Sequence, residues 1–207
     1  PLIEWVQCDL LDTPVLEKVF EDITQVYHCA AIVSYDPRMC DDMMEVNIEG
    51  TANIVNFCVE KNVSKLCYVS SIATLGEGMP GQLVTEKDDW EDKNENSNYA
   101  ISKQGAEMEV WRGIAEGLNA VIIHPGIILG EGDDTRSSTN LFKIVYDEFP
   151  FYTTGVTSWV DVKDVVKIMI ILMNSDISNE RFIVSEGNYA FRTIFTKMAI
   201  AMNKRPP

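Results

Sequence analysis

Five short runs rich in β-branched and aromatic residues recur along the chain, separated by stretches of helical period, and that alternation admits few folds. The runs are IEWVQ (3–7), QVYHCA (25–30), KLCYVS (65–70), NAVIIH (119–124) and RFIVS (181–185). Helices are predicted from Thr13, an N-cap ahead of Pro14, to about Asp22, and over 38–61. Others are predicted over 98–116 behind Asn98 as N-cap and ahead of Gly117, over 138–148, over 162–174 behind Asp161, and over 191–203. Strands alternating with helices build a mainly parallel α/β sheet, because a parallel neighbour is reached only through a crossover. The central runs are almost wholly apolar, as expected of a sheet covered on both faces. The stretch TEKDDWEDKNENSN (85–98) reads as a polar, solvated loop.

A chain of 207 residues, 46% hydrophobic and 24% charged, can bury a sizeable core. Its net charge of −15 argues against a nucleic-acid partner, since phosphate binding wants clustered Lys and Arg. The five cysteines, Cys8, Cys29, Cys40, Cys58 and Cys67, lack metal-ligand spacing, so no metal is expected. They read as reduced core thiols of a cytoplasmic protein. The longest apolar run, IMIILM (168–173), is too short to span a membrane, and no signal peptide is present. The chain opens on Pro1 and closes on Lys-Arg-Pro-Pro, and is expected to be part of a longer polypeptide.

In an open parallel sheet, ligands bind at the carboxyl ends of the strands. The second run ends in His28, Cys29, Ala30 and Ala31, the third in Ser70 and Ser71, the fourth in His124, Pro125 and Gly126. Between the third and fourth lies YAISK (99–103), whose Tyr99 and Lys103 stand one helical turn apart on one face. Chance alone supplies about 0.4 such pairs in a chain of this composition, so the pair gains weight only from its company. Its chemistry is plain. An ammonium at about 4 Å in an effective dielectric near 20 favours a phenolate by up to about 4 kcal/mol, roughly three pKa units. That shift brings a tyrosine into the range of a general acid/base.

The segments HCAA (28–31), NIEGT (47–51), YVSSIATLG (68–76), YAISK (99–103) and HPGIILGEGD (124–133), in this order, resemble the extended short-chain dehydrogenase/reductase superfamily. Within it the chain is most similar to the NAD-dependent epimerase/dehydratase family, in its dihydroflavonol-reductase-like and 3β-hydroxysteroid-dehydrogenase-like branch. The resemblance covers nearly the whole chain and implies a Rossmann-like, doubly wound parallel sheet. It further implies a partial dinucleotide-binding domain over 1–135, and over 136–207 a mostly helical substrate-side region returning one or more strands to the main sheet. The family's opening strand and GxxGxxG turn have no counterpart here; GEGMPG (76–81) follows the wrong strand and carries Pro80. The sheet is therefore expected to be incomplete at its N-terminal half, with a gap between IEWVQ and QVYHCA.

The resemblance implies Tyr99 as acid/base, Lys103 as its partner and ribose ligand, Ser71 as the hydroxyl that polarises a carbonyl, and Asn47 as support for the site. Asp9 and Leu10 would meet the adenine side, while His28, Ala30, Ala31, Pro125, Gly126 and Ile127, with Tyr99 and Lys103, would line the rest of NAD or NADP. A satisfied structural histidine is the alternative for His28 and for His124, where many epimerases carry arginine. Asn47 can equally be a buried structural amide. Asp161, in SWVDVKDVV with Trp159 and Asp164, is a cap or a substrate contact. Met39, Met43 and Met44 read as core or interface filler. Ala73 and Thr74 stand where a sugar dehydratase carries Asp-Glu, which favours reduction or epimerisation of a secondary alcohol or ketone over dehydration. A cofactor-binding regulator or scaffold of the same fold is the alternative from another class. The family's habit implies a homodimer through the helices of 38–61 and 98–116. Substrate identity and the choice between NAD and NADP are not legible.

Overall fold

The computed structural model describes residues 2–76, 78, 81–132 and 137–207; Glu77, Met79 and Pro80 of GEGMPG and Asp133 of HPGIILGEGD lie outside them. Strand β1 (Gln25–His28) pairs in parallel with β2 (Lys65–Val69), and β2 with β3 (Ala120–Pro125). With β6 (Glu180–Val184) they form a sheet of order β1-β2-β3-β6. Every residue of β2 from Lys65 to Tyr68 and all six of β3 are buried, which is why these runs carry almost no polar residues.

Residues 3–7 form no strand. Trp5 is 90% exposed, and β1 stands at the sheet's edge, so the expected gap lies beyond an edge and not within the sheet. A β-prone run without a neighbouring ladder has nowhere to place its N–H and C=O groups except water, and its propensity alone does not hold it extended.

Helix α1 (Thr13–Val19) is capped by Asp12, whose carboxylate accepts from the Val15 N–H at 3.2 Å, one residue ahead of the predicted Thr13. The helix expected over 38–61 is interrupted. It runs as α2 (Cys40–Met44), a π-helical turn at Glu45–Glu49 and α3 (Gly50–Glu60). Helix α4 (Asn98–Ala115) is capped by Ser97 and not by Asn98. It lies on the 45–60 segment because two of its glycines leave no room for more: a Cβ at Gly105 would stand 2.6 Å from Ile48, and one at Gly113 2.5 Å from Val55. The two segments expected to make a dimer thus pack on each other within the chain. Leu16, Phe20, Val55, Cys58, Leu66, Tyr68, Ala106, Val110 and Ile122 fill the core between these helices and the sheet. A fully buried side chain of the larger kind is worth about 1.5–3 kcal/mol.

The chain forms two compact units, Pro1–His124 with Met169–Phe182, and Pro125–Ile168 with Ile183–Pro207. The second holds a sheet of its own, with β4 (Ile127–Leu129) parallel to β5 (Val156–Asp161) and β5 antiparallel to β7 (Gly187–Ala190). Helices α5 (Asn140–Tyr146) and α7 (Phe191–Ala201) pack Val145, Ile194, Phe195 and Met198 around Trp159. Helix α6 (Val162–Met173) begins where the Asp161 carboxylate accepts from the Lys163 N–H at 2.7 Å. In the first unit, buried Lys65 closes the other end of α6: its ammonium donates to the carbonyls of Leu172 (2.7 Å), Ser175 (2.9 Å) and Ile177 (2.6 Å). No helix of the described residues is long and apolar enough to cross a membrane.

Candidate active site

Parallel pairing brings the carboxyl ends of β1, β2 and β3 to one edge, where Cys29 to Ala31, Ser70 and Ser71, and His124 follow one another. Helix α4 starts after the loop that leaves this edge. Its 3.6-residue period sets Tyr99, Lys103, Glu107 and Trp111 along one stripe.

Ser71 caps the 3₁₀ turn Ile72–Thr74, its hydroxyl accepting from the Ala73 N–H at 3.1 Å. The Tyr99 phenol lies near enough for that hydroxyl to favour its ionised form. The two groups on which a carbonyl would have to be polarised and protonated are therefore neighbours, on one side of the sheet. Tyr35 adds a second ring, its centroid 6.2 Å from that of Tyr99.

Lys103 is 3% exposed; its ammonium donates to the Val69 carbonyl at 2.9 Å and lies 4.5 Å from the centre of the Tyr68 ring. Burial pulls its pKa down to about 8, against the opposing pull of Glu107 and Cys29. The expected depression of the Tyr99 pKa is not found. Burial raises it, outweighing the lowering by the Ser71 hydroxyl, and the nearby Tyr35 raises it further. Lys103 is not among the groups that shift Tyr99; its ammonium bonds the Val69 carbonyl, and Tyr99 here is a neutral acid.

The remaining expected residues separate into open and closed positions. Ala30 is exposed and Ala31 half-buried, so the backbone after β1 is approachable. Asp9 is exposed, its carboxylate accepting from the Leu11 N–H at 3.0 Å, while Leu10 packs against Gly50 and its carbonyl accepts from the Asn53 amide at 2.9 Å. His28 is turned into the core, with Nε2 2.9 Å from the Thr51 hydroxyl; burial, then the charge of Lys103, lowers its pKa to about 4. Asn47 is 1% exposed and fully engaged: it accepts from the Ile32 N–H (2.7 Å) and donates to the Ile32 carbonyl and the Ser102 hydroxyl, both at 2.9 Å. Ser102 in turn donates to the Tyr99 carbonyl at 2.9 Å. Pro125, Gly126 and Ile127 belong to the second unit, where the Gly126 N–H donates to the Val184 carbonyl at 3.1 Å and a Cβ would strike the Ser158 hydroxyl.

One group escaped the sequence reading. Glu107, 1% exposed, accepts from Ser70, Thr74, His124 and Trp111. Its only trace in the sequence is its spacing, four residues beyond Lys103 and eight beyond Tyr99. The acidic loop before α4 is also less free than its composition suggests. Arg181 donates to the Glu86 carbonyl at 2.8 Å and to the Asp89 carboxylate at 2.7 Å.

The family model of the NAD-dependent epimerase/dehydratase family matches residues 1–185. The chain belongs to this family. Among curated proteins it is similar to cinnamoyl-CoA reductase 1 of Petunia hybrida, with 28% identity over 191 residues, 87% of this chain and 56% of the reductase. It is also similar to the 3 beta-hydroxysteroid dehydrogenase/Delta 5→4-isomerase of vaccinia virus strain Ankara, 28% identical over 155 residues, 71% of this chain and 43% of that protein. The chain thus spans about half the length of these relatives. Among solved structures, UDP-glucose 4-epimerase of Thermus thermophilus in complex with NAD aligns over 96% of this chain and 69% of its own, with TM-score 0.81 and 26% identity. The dTDP-glucose 4,6-dehydratase of Streptomyces venezuelae with NAD bound shares the fold, with TM-score 0.84, 20% identity, and 99% and 65% of the two chains covered. The family's Rossmann-like parallel α/β sheet is present here, truncated relative to those chains.

Proposed function

We propose that the protein carrying this chain is an NAD(P)-dependent oxidoreductase acting at a secondary alcohol or ketone, by reduction or epimerisation, with Tyr99 as its acid/base. The observation that carries the reading is the nearness of the Ser71 hydroxyl to the Tyr99 phenol at the carboxyl edge of the sheet, with the buried ammonium of Lys103 one helical turn further along α4. The names of the petunia and vaccinia relatives, a reductase and a hydroxysteroid dehydrogenase, point to the same chemistry.

The strand-end residues fit a flat dinucleotide: exposed Ala30 and half-buried Ala31 leave the backbone free to approach a ribose, and Asp9 presents an exposed carboxylate for hydroxyl groups. When bound, the nicotinamide supplies or accepts the hydride. Ser71 donates a hydrogen bond to the substrate oxygen and holds it against Tyr99. As negative charge develops on that oxygen, the neutral phenol releases its proton to it and the alcohol forms. The resulting phenolate is steadied by Lys103 once the ammonium leaves the Val69 carbonyl; the same ammonium would bond the ribose hydroxyls of a bound cofactor. In the oxidative direction the same proton returns to Tyr99.

The test is the full chain at its natural length, assayed with NADH and NADPH against a panel of ketones by nicotinamide absorbance. Tyr99→Phe is expected to lower turnover by about 10²–10⁴-fold while cofactor affinity stays unchanged. Turnover in Tyr99→Phe equal to wild type removes the reading. Cofactor binding without turnover in either protein favours the regulator.

A further inference from the structure

We infer that Glu107 is the positioning residue of this site: its buried carboxylate fastens the turn that carries Ser71 to the helix that carries Tyr99 and Lys103. The inference rests on the catalytic reading above and extends it to a residue that reading does not use.

The geometry is specific. Oε2 of Glu107 accepts from the Ser70 hydroxyl at 2.5 Å, the Thr74 hydroxyl at 2.9 Å and His124 Nε2 at 2.9 Å. Oε1 accepts from the Trp111 indole at 3.2 Å and faces the Arg181 guanidinium at 3.7 Å. Ser70 and Thr74 bracket Ser71, and the Thr74 hydroxyl also lies 2.9 Å from the Ser71 carbonyl. One carboxylate on α4 therefore binds the end of β2, the turn after it and the end of β3. Were Glu107 absent, the Ser70 and Thr74 hydroxyls that bracket Ser71 would lose their bonds to α4.

Glu107 is not itself placed to exchange a proton with a substrate, because it is 1% exposed and both of its oxygens are occupied. Its charge has a second consequence. Glu107 pulls the Lys103 pKa upward against burial. The charged and titratable groups facing that amine are Glu107 on its own helix, Cys29 after β1, His28 in β1 and the ring of Tyr68 in β2. Those facing Glu107 are His124, Arg181, Lys103 and Tyr68. Loss of the carboxylate should thus loosen the Ser71 turn and make Lys103 lose its proton at lower pH. Loss of one turn contact should only loosen the turn.

The experiment compares Glu107→Gln, Glu107→Asp and Thr74→Val in the full chain, with the ketone on which Tyr99→Phe is assayed. Glu107→Gln is expected to lower kcat by about 10- to 100-fold, as small misplacements of reacting groups do, with cofactor KM within about threefold. The alkaline limb of its kcat profile should move to lower pH. Thr74→Val should lower kcat by about tenfold with that limb unmoved, and Glu107→Asp should restore the limb. A purely structural carboxylate would lower thermal stability and leave both kcat of the folded enzyme and the limb alone. A Glu107→Gln kcat within twofold of wild type with an unshifted limb, beside an inactive Tyr99→Phe, overturns the inference and leaves the catalytic reading standing. Should Glu107→Gln fail to fold, unchanged kcat in both Thr74→Val and Ser70→Ala overturns it equally. Full turnover in Tyr99→Phe removes the catalytic reading and this inference with it.

Discussion

Two lysines are buried in the first unit, Lys65 at 4% exposure and Lys103 at 3%, and neither ammonium forms a hydrogen bond with a carboxylate. Lys65 spends all three N–H groups on carbonyls in and just beyond the last turn of α6, where the helix dipole also favours a cation. Lys103 spends one on the Val69 carbonyl and rests against the Tyr68 ring. An ammonium has three donors, so the first site is saturated and the second holds capacity in reserve. A saturated buried cation reads as a structural fastening. One left partly unsatisfied, at a strand-end edge, has donors open to a ligand, as the proposed function requires.

Substitution by methionine should split the pair in opposite directions. Lys103→Met is expected to lower turnover by about 10²–10⁴-fold, the range for loss of a group that assists acid/base transfer, while unfolding free energy at neutral pH stays level or rises because an undersolvated charge has gone. Lys65→Met is expected to lower unfolding free energy by about 3 kcal/mol by stranding three carbonyls, and to leave kcat of the folded enzyme unchanged. Urea unfolding together with steady-state assay reads both. A Lys65→Met enzyme that is stable but inactive would break the comparison.

The pH dependence sharpens it. The Lys103 pKa of about 8 lies below the ordinary lysine value of 10.5, so between these limits unfolding takes up a proton. The cost of burying the ammonium is full below about pH 8 and fades as pH rises toward 10.5, on the order of 3 kcal/mol in all. Wild-type stability relative to Lys103→Met should therefore improve over that interval. A difference that stays flat from pH 7 to pH 10.5 would mean that the amine is not desolvated as its burial implies.

How far these roles can be read in the sequence follows from the reach of each interaction. Helix α4 and the Tyr99–Lys103 spacing are local, set by a 3.6-residue period and a capping serine, and were legible to within one residue. Strands β2 and β3 were legible because burial on both faces forbids polar residues there. Strands β4 and β7, of three and four residues, are too short for any period to show, and β5 was read only as the approach to α6. The run 3–7 misled because its composition is strand-like while no neighbour supplies a ladder. Glu107 and Lys65 were illegible for a different reason. Their partners lie 33 and 37 residues away for Thr74 and Ser70, and 107 to 112 for the carbonyls in and just beyond the last turn of α6, so each looks like an ordinary charged residue until the fold surrounds it.

Asn47 tests whether saturation separates fastening from function in a neutral group as well. The family resemblance places it with the catalytic residues, yet its amide is engaged on both the oxygen and the nitrogen, holding Ile32 just beyond Ala30 and Ala31 and meeting the Ser102 hydroxyl beneath Tyr99. By the argument that assigns Lys65, it is a clamp on the loop that a cofactor would touch. Asn47→Leu leaves the Ile32 N–H and C=O unpaired and is expected to cost about 2 kcal/mol of stability. Cofactor KM should rise by about threefold to tenfold as the loop loosens, with kcat nearly unchanged, because Asn47 is 1% exposed and both atoms of its amide already have protein partners. If instead kcat collapses at unchanged stability and KM, then a fully engaged side chain has acted on the reaction, and counting open hydrogen-bond positions does not separate the two kinds of buried polar residue in this fold.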